Sequence, residues 1–437
     1  MPPLRSLPRA AALLGAMLAL HAAALAAQDT TRREVRIGLT YTPGVKPGVA
    51  VLTIAGAGGD SLRAILERDL DFSDRIEVLG RSASDGMAGD GRAPNYSLWR
   101  KLGAAAVVQG AMTPGGARIT LHDVSQGKVL QTRDFALPAG GDSRAWRLAA
   151  HGVSDEIERW ITGRRGIAQT RILYVRGKQV YVIDSDGAGE TALTDGATAL
   201  SPAWHPSGRQ IAYSTLGARG SEIQVKDLAT GQTRTLAGAS GGLNITPEWS
   251  PDGRSIVFSQ ARESGADIVM VDAQGGGAVR RLTVARGTDN VSPSFSPDGR
   301  RIAFVSSRPG HPEIYTMDAD GASAELLTPY QFGEPSYRSS PAWSPDGRLV
   351  AFQARVNGNF QIMTINLRDQ SMRQLTSDGI NEDPSWAPDG RHLVFTSSRS
   401  GTKQLWVLDI ETGRTRQLTR SGGARLSAWS RALDRAP

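Results

Sequence analysis

The stretch Pro341-Ala342-Trp343-Ser344-Pro345-Asp346-Gly347-Arg348-Leu349-Val350-Ala351-Phe352 is the clearest copy of a unit that recurs through the last three fifths of this 437-residue chain. Near-copies begin at Pro202 (PAWHPSGRQIAY), Pro247 (PEWSPDGRSIVF), Pro293 (PSFSPDGRRIAF) and Pro384 (PSWAPDGRHLVF), with a frayed sixth at Ser427-Ala428-Trp429-Ser430. The aromatic marker falls at Trp204, Trp249, Phe295, Trp343, Trp386 and Trp429, in steps of 45, 46, 48, 43 and 43 residues. A period near ~45 is that of a stacked or radial repeat. Each unit reads as four short strands. Strand A carries the Pro-x-Trp, and Ser-Pro-Asp-Gly then suits a type I turn, with Pro presetting φ and Gly taking the open last position. Strand B is the Ile-Ala-Phe type, strand C resembles Glu313–Asp318, and strand D ends in Leu-Thr (282–283, 327–328, 375–376, 418–419).

The two ends of the repeat region decide between an open and a closed array. It opens with a strand B (Ile172–Val175), a C (Val180–Asp184) and a D (Leu193-Thr194), with no A before them. It closes on a strand A (Arg425–Ser430) with nothing after it. An open solenoid needs capping repeats at its ends. Here the two fragments complete one another, so the region is expected to be a six-bladed β-propeller closed by its N- and C-terminal strands.

Working outward, residues 34–165 mix both periodicities. Gly48–Ala55 and Ala104–Gly110 are apolar runs of strand length, and Ser61–Leu70 has helical spacing with Ser61 as the expected N-cap. Ala117–Asp123 and Lys128–Leu137 alternate like a hairpin. After Asp142-Ser143, Trp146, Ala149, Val153, Ile157 and Trp160-Ile161 line one helical face. The expected organisation is two-domain. Residues 1–27 are a cleaved signal peptide, with Arg5 and Arg9 before an apolar core and Ala24-Leu25-Ala26 at the cleavage site. Residues 28–165 are a small α/β domain with a mixed sheet and a mobile N-terminal segment, and 166–437 are the propeller.

Composition narrows the function classes. The formal charge is +7, or +5 without the leader, and no basic run exceeds two residues. That is a solvated surface, not a nucleic-acid footprint. There are no cysteines, which removes disulfides, thiolate metal sites and Cys nucleophiles. The six His are isolated, and none pairs with another at metal-ligand spacing. Gly238-Ala239-Ser240-Gly241-Gly242 matches a nucleophile-elbow string but lacks the strand–turn–helix context. Gly56-Ala57-Gly58-Gly59 lacks a Walker Lys. Asp184-Ser185-Asp186-Gly187 lacks the distal acid of a calcium loop and reads as a C–D turn. No catalytic constellation emerges, and the reading is a non-enzyme. The D–A loops are unequal in length and carry polar and aromatic residues, which suits protein recognition.

An exported α/β domain followed by six Pro-x-Trp-Ser-Pro-Asp-Gly-Arg blades, with Glu34-Val35-Arg36-Ile37 near its start, resembles the TolB family, the periplasmic components of Tol-Pal systems. The resemblance implies a non-enzymatic adaptor, acting in outer-membrane integrity and its invagination during cell division. It implies that Gln28, Asp29, Thr30, Thr31, Arg32, Arg33, Glu34, Val35 and Arg36 bind the C-terminal domain of TolA. It also implies that propeller loops bind the lipoprotein Pal, through Leu243, Asn244, Asp289, Asn290, Tyr337, Arg338, Asn381 and Glu382. A monomer in the periplasm is expected, with no nucleic acid, no membrane insertion and no cofactor beyond a channel-bound cation such as calcium. The alternative is a lactonase-like periplasmic hydrolase with a metal held in the channel by inward carboxylates.

Overall fold

Strand B explains why the repeat folds as it does. Ile211-Ala212-Tyr213, Ile256-Val257-Phe258, Ile302-Ala303-Phe304, Val350-Ala351-Phe352, Leu393-Val394-Phe395 and Ile172-Leu173-Tyr174 are all buried, on both faces of their sheets. A strand covered on both sides reads as a continuous apolar run, and stacking blade on blade provides the second cover. The computed structural model describes residues 45–431 except 81–92, 142, 218–219, 239–241, 285, 332 and 334–335. The signal segment and the expected TolA-binding segment 28–36 lie outside the described residues.

Six four-stranded antiparallel sheets follow one another around a ring. Blades 1 to 5 span residues 198–237, 243–281, 290–326, 338–374 and 381–417. Blade 6 joins strand A, Ala424–Trp429, to strands B, C and D at Arg171–Arg176, Gln179–Asp184 and Thr191–Ala192, with Ala428 opposite Leu173 and Trp429 opposite Ile172. The closure read from the mismatched ends is the closure observed.

The aromatic marker packs between blades. Trp249 sits with Ala203 and Ala212 of blade 1, Trp386 with Ala351 of blade 4, and Trp429 with Ala387 and Val394 of blade 5. Trp204 and Trp343 are only half-buried. The Ser-Pro-Asp-Gly turn is self-contained. Ser344 Oγ donates to Asp346 Oδ1 at 2.6 Å and accepts from Leu349 N at 2.9 Å, and Gly347 has φ +74°. The Leu-Thr motif has a job of its own. The Thr328 hydroxyl accepts from Ile314 N and donates to Glu313 Oε2 at 2.7 Å, tying strand D to strand C, and Thr283, Thr376 and Thr419 repeat the tie.

One repeated feature was not legible. In every strand A, the third residue before the aromatic marker lies in the left-handed region: Ser201, Thr246, Ser292, Ser340, Asp383 and Leu426, with φ between +47° and +55°. Each sits at or beside the register shift between strands A and B. Such bulges bend a strand and increase its twist, which suits the innermost strand of a tightly curved ring.

The N-terminal region is a five-stranded mixed sheet. β1 (Gly48–Ala55) pairs in parallel with β2 (Glu77–Val78) and β3 (Ala104–Thr113), and β4 (Gly116–Asp123) and β5 (Lys128–Ala136) extend it antiparallel. Among the described residues three helices accompany it: α1 (Gly59–Phe72), α2 (Tyr96–Lys101) and α3 (Arg144–Thr162). Ser143 caps α3 by accepting from Trp146 N. α1 starts at Gly59, not after Ser61 as expected, because the β1–α1 turn is so tight that a Cβ at Gly59 would lie 1.9 Å from the Ile54 carbonyl. That is the use of the glycine run at 56–59.

Candidate binding surfaces

The propeller has two faces: one carries the A–B and C–D turns, the other the B–C and D–A loops. The residues expected to bind on the loop face divide sharply. Asn244, Asn290 and Asn381 have 1%, 0% and 0% of their surface exposed. The Asn381 amide donates to Gln361 Oε1 at 2.8 Å and to the Asp378 carbonyl at 3.0 Å. Asn244 donates to the Ser221 and Gly238 carbonyls, and Asn290 accepts from Ser306 Oγ and donates to the Ala266 carbonyl. These amides hold the start of strand A against strands B and C, and their side chains point inward. Arg338 is half-buried and donates to Glu313 Oε2 and to the Thr328 and Pro329 carbonyls. Glu382 pairs with Lys403, and the exposed Asp289 accepts from Ala266 N at 3.1 Å.

Leu243 and Tyr337 are the apolar members that face solvent, 44% and 41% exposed. They share the loop face with three exposed apolar side chains that sequence reasoning missed: Leu216, Val284 and Ile380. Each stands beside a loop polar enough to hide it. Tyr337 is edge-on to Phe360, with ring centroids 5.3 Å apart, which fixes its orientation.

On the turn face the channel opens into a cavity of about 510 Å³, lined by strand A residues of all six blades and by turn prolines including Pro206, Pro297, Pro345 and Pro388. Glu248 is its carboxylate, and burial among these rings and prolines pushes it up to about 7, with Arg431 pulling the other way. In strand A of blade 5, burial and the Glu382 charge push Asp383 up to about 6.

The N-terminal domain rests on the same turn face at blades 5 and 6, through charge. Arg75, which follows α1, donates to Glu158 Oε1 of α3 at 2.8 Å and to Asp389 Oδ2 of blade 5 at 3.3 Å. Arg414 reaches Asp71 and Asp74, Arg391 reaches the Asp74 carbonyl, and Arg416 lies over the Phe72 ring at 4.2 Å. Arg68 and Arg147 both pair with Asp186 in the blade 6 C–D turn. Burial pushes Asp155 and Glu158 of α3 up to about 7. Two groups here have the donor set of a cation site, Asp69–His151–Asp186 and Asp74–His392–Asp409. Guanidinium groups already occupy their carboxylates, Arg68 and Arg147 on Asp186, Arg414 on Asp74 and Arg391 on Asp409. That electrostatic setting suits shared protons better than a dication.

Comparison with known proteins follows the same division of the chain. The family described as TolB beta propeller domain matches residues 158–433, and the TolB amino-terminal domain matches residues 44–130. Two similar proteins are the Tol-Pal system protein TolB of Polaromonas sp., 34% identical over 47% of this chain and 48% of its own length, and that of Chromobacterium violaceum, 32% identical over 50% and 53%. The chain thus spans about half the length of the curated relatives it matches. The crystal structure of TolB from Acinetobacter baumannii superposes with a TM-score of 0.76 at 26% identity, covering 90% of this chain and 98% of that one. Among the described residues no helix is long and apolar enough to cross a membrane. The chain belongs to the TolB family of Tol-Pal system proteins.

Proposed function

We propose that this chain is a non-enzymatic periplasmic adaptor of the Tol-Pal system. It binds Pal on the loop face of the propeller and the TolA C-terminal domain through residues 28–36, and so supports outer-membrane integrity and invagination during division. The observation that carries the Pal half is the exposed set Leu216, Leu243, Val284, Tyr337 and Ile380, presented on one rim of a rigid ring. Exposed aromatic and apolar residues on a rigid rim are the anchors on which protein interfaces concentrate their energy. Calorimetric titration of the full chain with purified Pal tests it. Micromolar or tighter binding that weakens about tenfold or more in Tyr337→Ser is expected, and no binding at these concentrations sinks the adaptor reading. Deletion of 28–36 is expected to remove TolA binding and leave Pal binding intact.

A second reading, a channel-bound cation such as calcium serving a hydrolase, draws on the raised carboxyls Glu248 and Asp383. A stoichiometric metal together with esterase activity lost on chelation would favour it over the adaptor.

A further inference from the structure

His151 and His392 are the two histidines with no exposed surface among the described residues, and both lie where the N-terminal domain meets the propeller. Each has a carboxylate at either ring nitrogen. His392, on strand B of blade 5, has Nδ1 2.8 Å from Asp389 Oδ2 and Nε2 3.4 Å from Asp74 Oδ2 of the segment after α1. His151, on α3, has Nδ1 2.7 Å from Asp69 Oδ2 of α1 and Nε2 3.7 Å from Asp186 Oδ2 of blade 6. A neutral imidazole has one N–H and one lone pair, whereas an ionised carboxylate only accepts. Only the imidazolium can therefore satisfy both sides at once, and loss of its proton turns a lone pair towards an anion in a buried place.

We propose that His151 and His392 form a proton-operated clasp, in which each imidazolium links a carboxylate of the N-terminal domain to one of the propeller, and deprotonation loosens the two domains from each other. Asp74 reinforces the geometry. It is 4% exposed, holds φ at +56°, and receives Arg414 at 2.9 Å with Lys46 at 3.6 Å, so it is positioned from several sides. Buried strain of this kind persists where the surroundings over-determine it.

The other charged groups facing the two rings fix the sign. Around His392 stand Asp389, Asp74, Asp409 and Glu158, with Arg75, Arg391 and Arg414 beside them. Around His151 stand Asp69, Asp184 and Asp186, with Arg68, Arg144, Arg147, Arg171 and Arg416. Burial alone disfavours the charged His392 ring, but Asp389, seconded by Asp74 and Asp409, reverses this and raises it to about 9. His151 is also raised, with burial opposed by Asp69 and then by Asp186 and Asp184. On undocking, His392 keeps Asp389 and Asp409 of its own blade and His151 keeps Asp69 of α1. The docking linkage thus comes from the carboxylates across the seam, Asp74 for His392 and Asp186 with Asp184 for His151. Their contribution is present while the rings are protonated and lost as pH climbs through the docked-state value. Glu158, raised to about 7, acts in the same direction. Docking is therefore tight at mildly acidic pH and loosens between about 7 and 9.

The chain has no cysteine, so a Lys128→Cys, Arg368→Cys pair places one spin label on each domain of the full protein without interference. Interdomain distances are measured from pH 6 to 9.5. The expected result is a single short distance at pH 6, with a broad longer population growing above pH 7 as the docking constant falls on the order of a hundredfold. His392→Gln and, separately, Asp74→Asn are expected to flatten that dependence about tenfold or more. Asp74→Asn leaves the His392–Asp389 pair intact inside its blade, and Asn tolerates the left-handed backbone, so it reads the clasp even if His392→Gln disturbs the blade. A distance distribution that ignores pH in the parent, or one whose pH response is unchanged in both variants, overturns the proposal.

Discussion

The two faces of the propeller use the same residue types in opposite ways. On the loop face, the amides of Asn244, Asn290 and Asn381 turn inward and are hydrogen-bonded, while Leu243, Val284 and Tyr337 stand in solvent. On the turn face at blades 5 and 6, charged groups are buried: Arg391, His392 and the Asp389 side chain lie under the N-terminal domain, whose Arg75 faces them, and each of these groups is 5% exposed or less. A polar loop residue is thus no guide to a polar surface, and a Ser-Pro-Asp-Gly turn that looks solvated can be half of a domain interface. The difference follows from what each face must do. Repeated blades need the Asn, Gln and Thr ties to hold strand A to strands B, C and D, and only an irregular partner such as the N-terminal domain needs charge to register against them.

The comparison breaks most visibly at Arg75. It is 4% exposed and joins Glu158 and Asp389 across the domains. Arg75→Ala leaves two buried carboxylates without their cation and is expected to lower stability by about 3–5 kcal/mol, read from the denaturant midpoint. A loss below about 1 kcal/mol would mean that water, not charge, fills the turn-face interface. Next in size is Thr328→Val, which removes the hydroxyl linking Ile314 N to Glu313 with little change in volume, strands the buried Ile314 N–H and leaves Glu313 Oε2 with Arg338 alone. A loss of about 1–3 kcal/mol is expected, against little change for a valine at an exposed threonine.

Glu158 gives a smaller effect with a sign. Burial raises it to about 7 although Arg75 pulls it down. A raised carboxyl contributes stability below its unfolded pKa, near ~4.3, and loses it as pH rises through the raised value. The parent is therefore expected to lose thermal stability between pH 5 and 8, and Glu158→Gln to show a flatter profile over that window. An unchanged slope would place the titrating group elsewhere in the interface.

The ring itself was legible because its signals are local and repeated: Pro-x-Trp, the turn, Leu-Thr and the mismatched ends each carry a physical reason within a dozen residues. The register shifts were not. Thr246 and Leu426 hold φ of +54° although neither residue type favours it, so the curvature of the ring, not local propensity, sets that conformation. The indole at 343 shows the same limit. Its sequence matches the unit best, yet Trp343 is half-buried while Trp386 is 6% exposed, because burial depends on the neighbouring blade. The charged seam between the domains joins residues more than 300 positions apart, such as Arg75 and Asp389, and no periodicity reports such a pair.

The smallest expected effect on stability is the most informative about function. Leu243 and Tyr337 are more than two fifths exposed. Leu243→Ser and Tyr337→Ser should shift the unfolding midpoint within about 0.5 kcal/mol, as surface changes do. If the rim is where Pal docks, the same substitutions remove anchors whose burial is realised only in the complex, and affinity should fall by about 1–2 kcal/mol each. Asn381→Ala should invert the pattern: a buried amide is lost, so stability falls by about 1–3 kcal/mol, while the rim that a partner would touch keeps its apolar anchors. Finding instead that Asn381→Ala weakens Pal binding more than Tyr337→Ser would mean that partners read the polar ties after all, through opening of the strand A edge.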